Sequence, residues 1–177
     1  MSTETAVEMI NSIMLENVHP DIRVRARRLI SDVKQLLDKQ IKITEGHRDI
    51  EKQREIYAQG RTSPGRVVTN ARPGYSFHQY GLAIDCCFHG ADPYLENGSK
   101  EDFNFFWDKF GQFAMNHGFT WGGNFRLRKD RPHCELSYGF SITECLEQYR
   151  IGGVARVWGY VDGMIGYDSS NQWPAWV

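Results

Sequence analysis

Four residues of this chain are of types, and stand at spacings, that suit hydrolysis at a metal ion: His78, Asp85, Asp130 and His133. The first two lie in 76-SFHQYGLAIDCCF-88, a segment that turns increasingly apolar toward its end. Ionisable groups in such surroundings cost free energy unless something pairs with them. Seven positions separate His78 from Asp85, too many for one helical turn but natural for a histidine on a loop and an aspartate near the end of the strand that follows. A divalent cation would neutralise the carboxylate and use the imidazole lone pair. Zinc needs a third protein ligand, and the candidate is His133 in 130-DRPHCEL-136, where Pro132 disfavours helix and a strand follows. Asp130 can stand over an open metal position without ligating, and there take a proton from an activated water. The same spacing equally suits a bland alternative, with His78 and Asp85 a structural hydrogen-bonded pair and His133 an ordinary strand histidine. His19, His47, His89 and His117 sit beside helix ends or in loops and read as surface or capping groups.

The elements that must position these residues are legible as patterns. Val7, Ile10 and Met14 recur at helical spacing before Pro20, and Val24, Leu29, Val33 and Leu36 after it, predicting two amphipathic helices. Ile41 to Thr44 alternates like a short strand, and 49-DIEKQREIYAQG-60 reads as a helix with Asp49 as N-cap and Gly60 just past its end. Residues 61–75 carry two Pro-Gly pairs and are predicted to be mostly loop. A strand is expected around 81–88, then a polar linker whose acidic residues read as surface charges. Next comes a helix in which Phe103, Phe106, Trp107, Phe110 and Phe113 share one face. Such a stripe is read as core. Thr120-Trp121 and 133-HCEL-136 read as short strands. Ser141 to Glu144 is a capping box that opens a last helix predicted to stop at Gly152-Gly153, with an Asp162-Gly163 hairpin turn in the tail beyond.

Composition bounds the class. A chain of 177 residues that is 41% hydrophobic can fill one sizeable core. Lys and Arg (21) nearly balance Asp and Glu (22), so no global field recruits nucleic acid or anionic lipid. No run is long enough to span a bilayer, and the first twenty residues lack the features of a secretory leader, which predicts a protein made in the cytosol without Sec export. Cys86, Cys87, Cys134 and Cys145 show no CxxC spacing and read as reduced, buried small hydrophobes.

The stretch 76-SFHQYGLAID-85 matches the S-x-H-x-x-G-x-A-x-D signature of the LAS metallopeptidase group (lysostaphin, D-Ala-D-Ala peptidase, hedgehog), and the chain as a whole resembles the M15 peptidases. Within them, 46-GHRDIEKQREIYAQGRTSPGRVVTNARPGYS-76 and 118-GFTWGGNFRLRKDRPHCEL-136 look like the L-alanyl-D-glutamate peptidases of phage endolysins. The resemblance implies one Zn2+ held by His78, Asp85 and His133, with Asp130 as general base. It further implies Arg48 polarising the scissile carbonyl, and Ser76 and Gln53 lining the substrate cleft. Cys134 departs from the aromatic often found at its position in relatives. Residues 154–177 have no counterpart in the resemblance.

The fold so implied is α+β: a small, mainly antiparallel sheet with helices packed on one side, as in the D-Ala-D-Ala peptidases. Residues 1–153 are expected to form the peptidase domain, and 154–177 a C-terminal extension packed on it. An alternative makes Trp158, Trp173 and Trp176 of that extension a glycan-contacting element. The implied function is zinc-dependent hydrolysis of the L-Ala-D-Glu bond in the peptidoglycan stem peptide, by a monomeric phage endolysin with no nucleic-acid or membrane partner. It would wait in the host cytoplasm until a holin released it to the cell wall. Three rivals remain: a D,D-carboxypeptidase or dipeptidase using the same metal set on the other end of the stem peptide, a non-catalytic wall-binding or virion structural protein, and a cytosolic metal-storage or regulatory protein, which would want more Cys or His ligands.

Overall fold

The computed structural model describes residues 3–166, which form five α-helices and four β-strands. In chain order these are α1 (Thr3–Leu15), α2 (Pro20–Leu37), β1 (Ile41–Glu45), α3 (Ile50–Ala58), β2 (Ala83–Phe88), α4 (Lys100–Asn116), β3 (Thr120–Trp121), β4 (His133–Glu135) and α5 (Ile142–Ile165). The strands pair antiparallel throughout, in the order β1-β2-β4-β3. The expected α+β class with a small antiparallel sheet is therefore what the chain adopts. Among the described residues no helix is long and apolar enough to cross a membrane. The chain divides into two compact units, residues 1–46 with 83–136, and residues 47–82 with the chain from 137 onward.

The first unit holds the whole sheet with α1, α2 and α4. Its helices start where local chemistry says they should. Pro20 opens α2 behind His19, whose Nδ1 accepts from the Asp21 N–H, and Ser99 caps α4 by accepting from the Asp102 N–H. α2 buries Ile22, Ala26, Leu29 and Val33, while Leu36 of the expected stripe is exposed in its last turn. From the aromatic stripe of α4, Trp107 and Phe110 are buried. Phe88, at the end of β2, meets both edge-on, with ring centroids 5.0 and 6.3 Å away. Buried Asn11 of α1 treats β1 as a neighbouring strand would: its Nδ2 donates to Ile41 O at 2.9 Å and its Oδ1 accepts from Ile43 N at 2.7 Å. Those backbone groups are thereby satisfied without a further strand.

The second unit contains α3, a 3-10 turn over Phe77–Tyr80, and α5. Asp49 caps α3 through the Lys52 N–H, as its position predicts. Residues 61–75 carry no helix or strand beyond one isolated bridge between Gln59 and Ser63. The end of this loop is tied down at Gly74: Tyr80 donates its hydroxyl to Gly74 O at 2.6 Å, and Gln79 Oε1 accepts from Gly74 N at 2.8 Å.

The tail differs from its expected form. The Ser141–Glu144 capping box opens α5 as predicted, but Gly152 and Gly153 only interrupt the helix, which resumes and runs to Ile165. Gly153, at φ +68° and ψ −162°, adopts a conformation that side-chain-bearing residues rarely reach, so the pair makes a kink. Beyond it Val157 and Val161, four apart, are both buried, and this helical face outweighs the Asp162-Gly163 turn signal. Trp158 Nε1 donates to Tyr80 O at 2.8 Å, tying α5 to the 3-10 turn. Trp173 and Trp176 lie outside the described residues.

All four cysteines are free and buried, as expected. Burial pushes the Cys86 and Cys134 thiols well above their ordinary range, so neither supplies a thiolate.

Candidate active site

β2 is buried at every position except Asp85, which is half-buried. The strand sits between β1 and β4, and the register places Glu45 opposite Asp85 on one side and His133 opposite it on the other. Glu45 reaches this position because the β1 register shifts between Ile43 and Glu45. Residues 133 and 135 lie two apart on β4 and therefore share a face, while Cys134 between them is buried on the other.

The His133 ring is held at both nitrogens. Nδ1 lies 3.0 Å from Asp85 Oδ1, and Nε2 lies 2.9 Å from Glu135 Oε2. Burial disfavours the imidazolium, but the hydrogen bonds and charges of Asp85 and Glu135 outweigh it and raise His133 to about 9. In zinc-free protein His133 is thus a cation between two carboxylates at neutral pH. A group raised above its ordinary 6.5 on folding stabilises fully below that value, and the contribution is lost as pH rises through about 9. Chelator-treated protein should lose about 2–4 kcal/mol of unfolding free energy between pH 6 and pH 10. Urea denaturation at the two pH values, with His133→Gln as control, measures the difference.

The Asp85–His133 pair also fits a metal. Two donors on one tetrahedral zinc, each about 2.0–2.1 Å from it, lie about 3.3 Å apart. The observed 3.0 Å between Oδ1 and Nδ1 is within a few tenths of an ångström of that spacing. A zinc ion held by both donors would take the place of the shared proton, off the line between the two atoms.

Asp130 is exposed, on the segment that leads into β4. Its backbone is fixed on both sides, with Asp130 N donating to Gly122 O at 2.9 Å and His133 N donating to Asp130 O at 3.2 Å. A Cβ on Gly122 would collide with the Asp130 carbonyl oxygen, so the 121-WGG-123 stretch permits this close approach. Trp121 Nε1 donates to Arg131 O at 2.8 Å, and the Arg131 guanidinium stacks over Phe103 of α4 at 4.7 Å. The segment carrying Asp130 is thereby braced before β4 begins.

His78, Arg48, Gln53 and Ser76 belong to the second unit. His78 is buried in the 3-10 turn, and its carbonyl accepts from Arg48 N at 3.0 Å, which sets Arg48 beside it. The guanidinium of Arg48 donates from Nη1 to Gln53 Oε1 at 2.9 Å. Gln53 is fully buried and donates from Nε2 to Ala71 O at 2.7 Å, linking Arg48 to the long loop. Ser76 stands at the N-cap of the 3-10 turn with no side-chain capping bond.

Sequence reasoning missed Glu135 and Glu45. The i, i+2 spacing from His133 was the one available signal for Glu135, whereas Glu45 depends on the shifted register of β1. His19 caps a helix as expected but is fully buried, and His117 bonds Asp32 through Nε2 at 2.7 Å. Both are structural.

Residues 69–136 match the M15_4 peptidase family, described as D-alanyl-D-alanine carboxypeptidase. That span includes His78, Asp85, Asp130 and His133 and excludes Arg48 and Gln53. The chain is 40% identical over 103 residues to the peptidoglycan L-alanyl-D-glutamate endopeptidase CwlK of Bacillus subtilis (strain 168). The matched stretch covers 53% of this chain and 59% of CwlK. Among solved structures, the LdcB LD-carboxypeptidase aligns with a TM-score of 0.52 at 20% identity, covering 82% of this chain and 78% of LdcB, a likeness of fold. The L-Ala D-Glu endopeptidase ChiX of Serratia marcescens aligns at a TM-score of 0.48 and 23% identity, over 73% of this chain and 87% of ChiX. The resemblance to M15 peptidases read from the sequence is borne out.

Proposed function

We propose that this protein is a zinc-dependent peptidoglycan endopeptidase that cleaves the L-Ala-D-Glu bond of the stem peptide. The observation that carries the hydrolytic reading is the Asp85–His133 donor pair at a spacing suited to zinc, in a strand otherwise buried. Further support comes from the donor types: His78, Asp85 and His133 are each of a kind that can offer one ligand atom to a metal ion. The choice of bond rests on the 40% identity with CwlK. The role of a phage lysis enzyme, released to the wall by a holin, rests on the likeness of residues 46–76 and 118–136 to phage endolysin peptidases.

Bound zinc would supply Lewis-acid polarisation and a lowered pKa for the attacking water. Asp130 takes the proton of that water as its oxygen adds to the alanyl carbonyl, then returns the proton to the departing glutamyl amine as the C–N bond breaks. Arg48, steadied by Gln53, stabilises the negative charge that develops on the carbonyl oxygen, a contribution of about 3 kcal/mol for a fixed donor of this kind. Ser76, with no capping bond to make, contacts substrate from the cleft wall.

A second reading, D,D-carboxypeptidase, is favoured by the description of the family that residues 69–136 match. Digestion of purified Gram-negative peptidoglycan, with and without chelator, separates the two. The expected product is a new D-Glu amino terminus by mass spectrometry, abolished by chelator and restored by zinc. Release of D-Ala would establish the second reading, and no cleavage by folded, zinc-loaded protein would sink both.

A further inference from the structure

We propose that Glu135 is a positioning residue for the metal centre: its carboxylate accepts the Nε2–H of His133 and thereby presents Nδ1 to the ion. The inference rests on the reading that His133 ligates zinc, and extends it to a residue outside the ligand set.

An imidazole that ligates a metal uses one nitrogen and carries its proton on the other, which then needs an acceptor. Asp85 stands in register with His133 across β2 and β4, and its Oδ1 lies 3.0 Å from Nδ1. Glu135 stands two residues along β4 on the same face, and its Oε2 lies 2.9 Å from Nε2. The two nitrogens thus meet different partners. Asp85 is itself a proposed ligand, so the nitrogen facing it shares the metal. The nitrogen facing Glu135 keeps the proton.

Two features make Glu135 more than an incidental neighbour. Its side chain is only 20% exposed and that of His133 only 11%, so water competes weakly for the bond. The Phe125 ring packs beside the imidazole, with ring centroids 5.7 Å apart and planes tilted at 49°. A carboxylate acceptor also makes the imidazole more basic, and therefore a stronger ligand, than a water molecule would.

The test is zinc affinity, measured on the full chain by competition with a chromophoric chelator. The variants are Glu135→Gln, which keeps an accepting oxygen, Glu135→Met, which keeps the bulk and loses the acceptor, and His133→Ala. Glu135→Met should bind zinc about 10–100-fold more weakly than wild type, the usual cost of losing such a partner, with Glu135→Gln between them. Long-range 15N correlation on zinc-loaded wild type should show His133 protonated at Nε2 and coordinated at Nδ1. That tautomer is not moved by a merely structural role, and it can be read even if Glu135→Met does not fold. Wild-type affinity in Glu135→Met, or a His133 coordinated through Nε2, overturns the role of Glu135. If His133→Ala still loses the metal, the functional reading survives that result. Undiminished zinc binding by His133→Ala would overturn the functional reading as well.

Discussion

Asp130→Asn should fold, bind one zinc as tightly as wild type, and lose turnover on stem peptide by about 10²–10⁴-fold, the range for removal of a general base. The expectation follows from where the residue sits. Asp130 is exposed and its position is set by the backbone: its N–H bonds Gly122 O, its carbonyl accepts from His133 N, and Gly122 has no side chain to interfere. Asparagine keeps the shape and leaves these bonds alone, but cannot accept the proton of the attacking water. Turnover, zinc content by atomic absorption and melting temperature, measured on one preparation, separate the three quantities. Full hydrolysis in the variant would remove Asp130 from the base role.

His133→Ala should behave differently in each respect. It removes a proposed ligand, so zinc content should fall together with activity, by about 10⁴-fold or more, as for groups that act as a unit. It also removes the imidazolium that Asp85 and Glu135 both contact in zinc-free protein, so its melting temperature should fall even in chelator. Double substitution of Asp130 and His133 should cost little more activity than His133→Ala alone, because a base has nothing to do without the metal. A His133→Ala protein that retains zinc would place the ion elsewhere. An additive double variant would separate Asp130 from the metal chemistry.

The helix starts were readable because capping is local. Asp49, Ser99 and Ser141 each bond an N–H three residues ahead, a distance that spans one turn and owes nothing to the rest of the fold. The aromatic stripe of α4 was readable for a related reason, since a period of 3.6 puts Trp107 and Phe110 on one face whatever they pack against. Where two local signals competed, local reading failed. Gly152-Gly153 and Asp162-Gly163 are both stop or turn signals, yet the chain remains helical around them because Val157 and Val161 are buried.

The candidate site shows the same division. The types and order of His78, Asp85, Asp130 and His133 stand in the sequence, but their spacing suits a metal site and a structural pair equally. The sequence alone also carried the reading of Cys86, Cys87, Cys134 and Cys145 as reduced, buried small hydrophobes, since none stands at CxxC spacing. What tertiary structure decided is pairing between residues far apart in the chain. Asp85 meets His133, 48 positions away, only because β2 and β4 pair in one register; a slip of one residue would turn their side chains to opposite faces. Glu45 stands opposite Asp85 only because β1 shifts register by a residue. Glu135 went unread although its i, i+2 spacing puts it on the face of His133, and its bond to Nε2 depends on Asp85 taking Nδ1. Strand register is chosen by the summed burial of whole faces, a quantity that no short stretch of sequence contains.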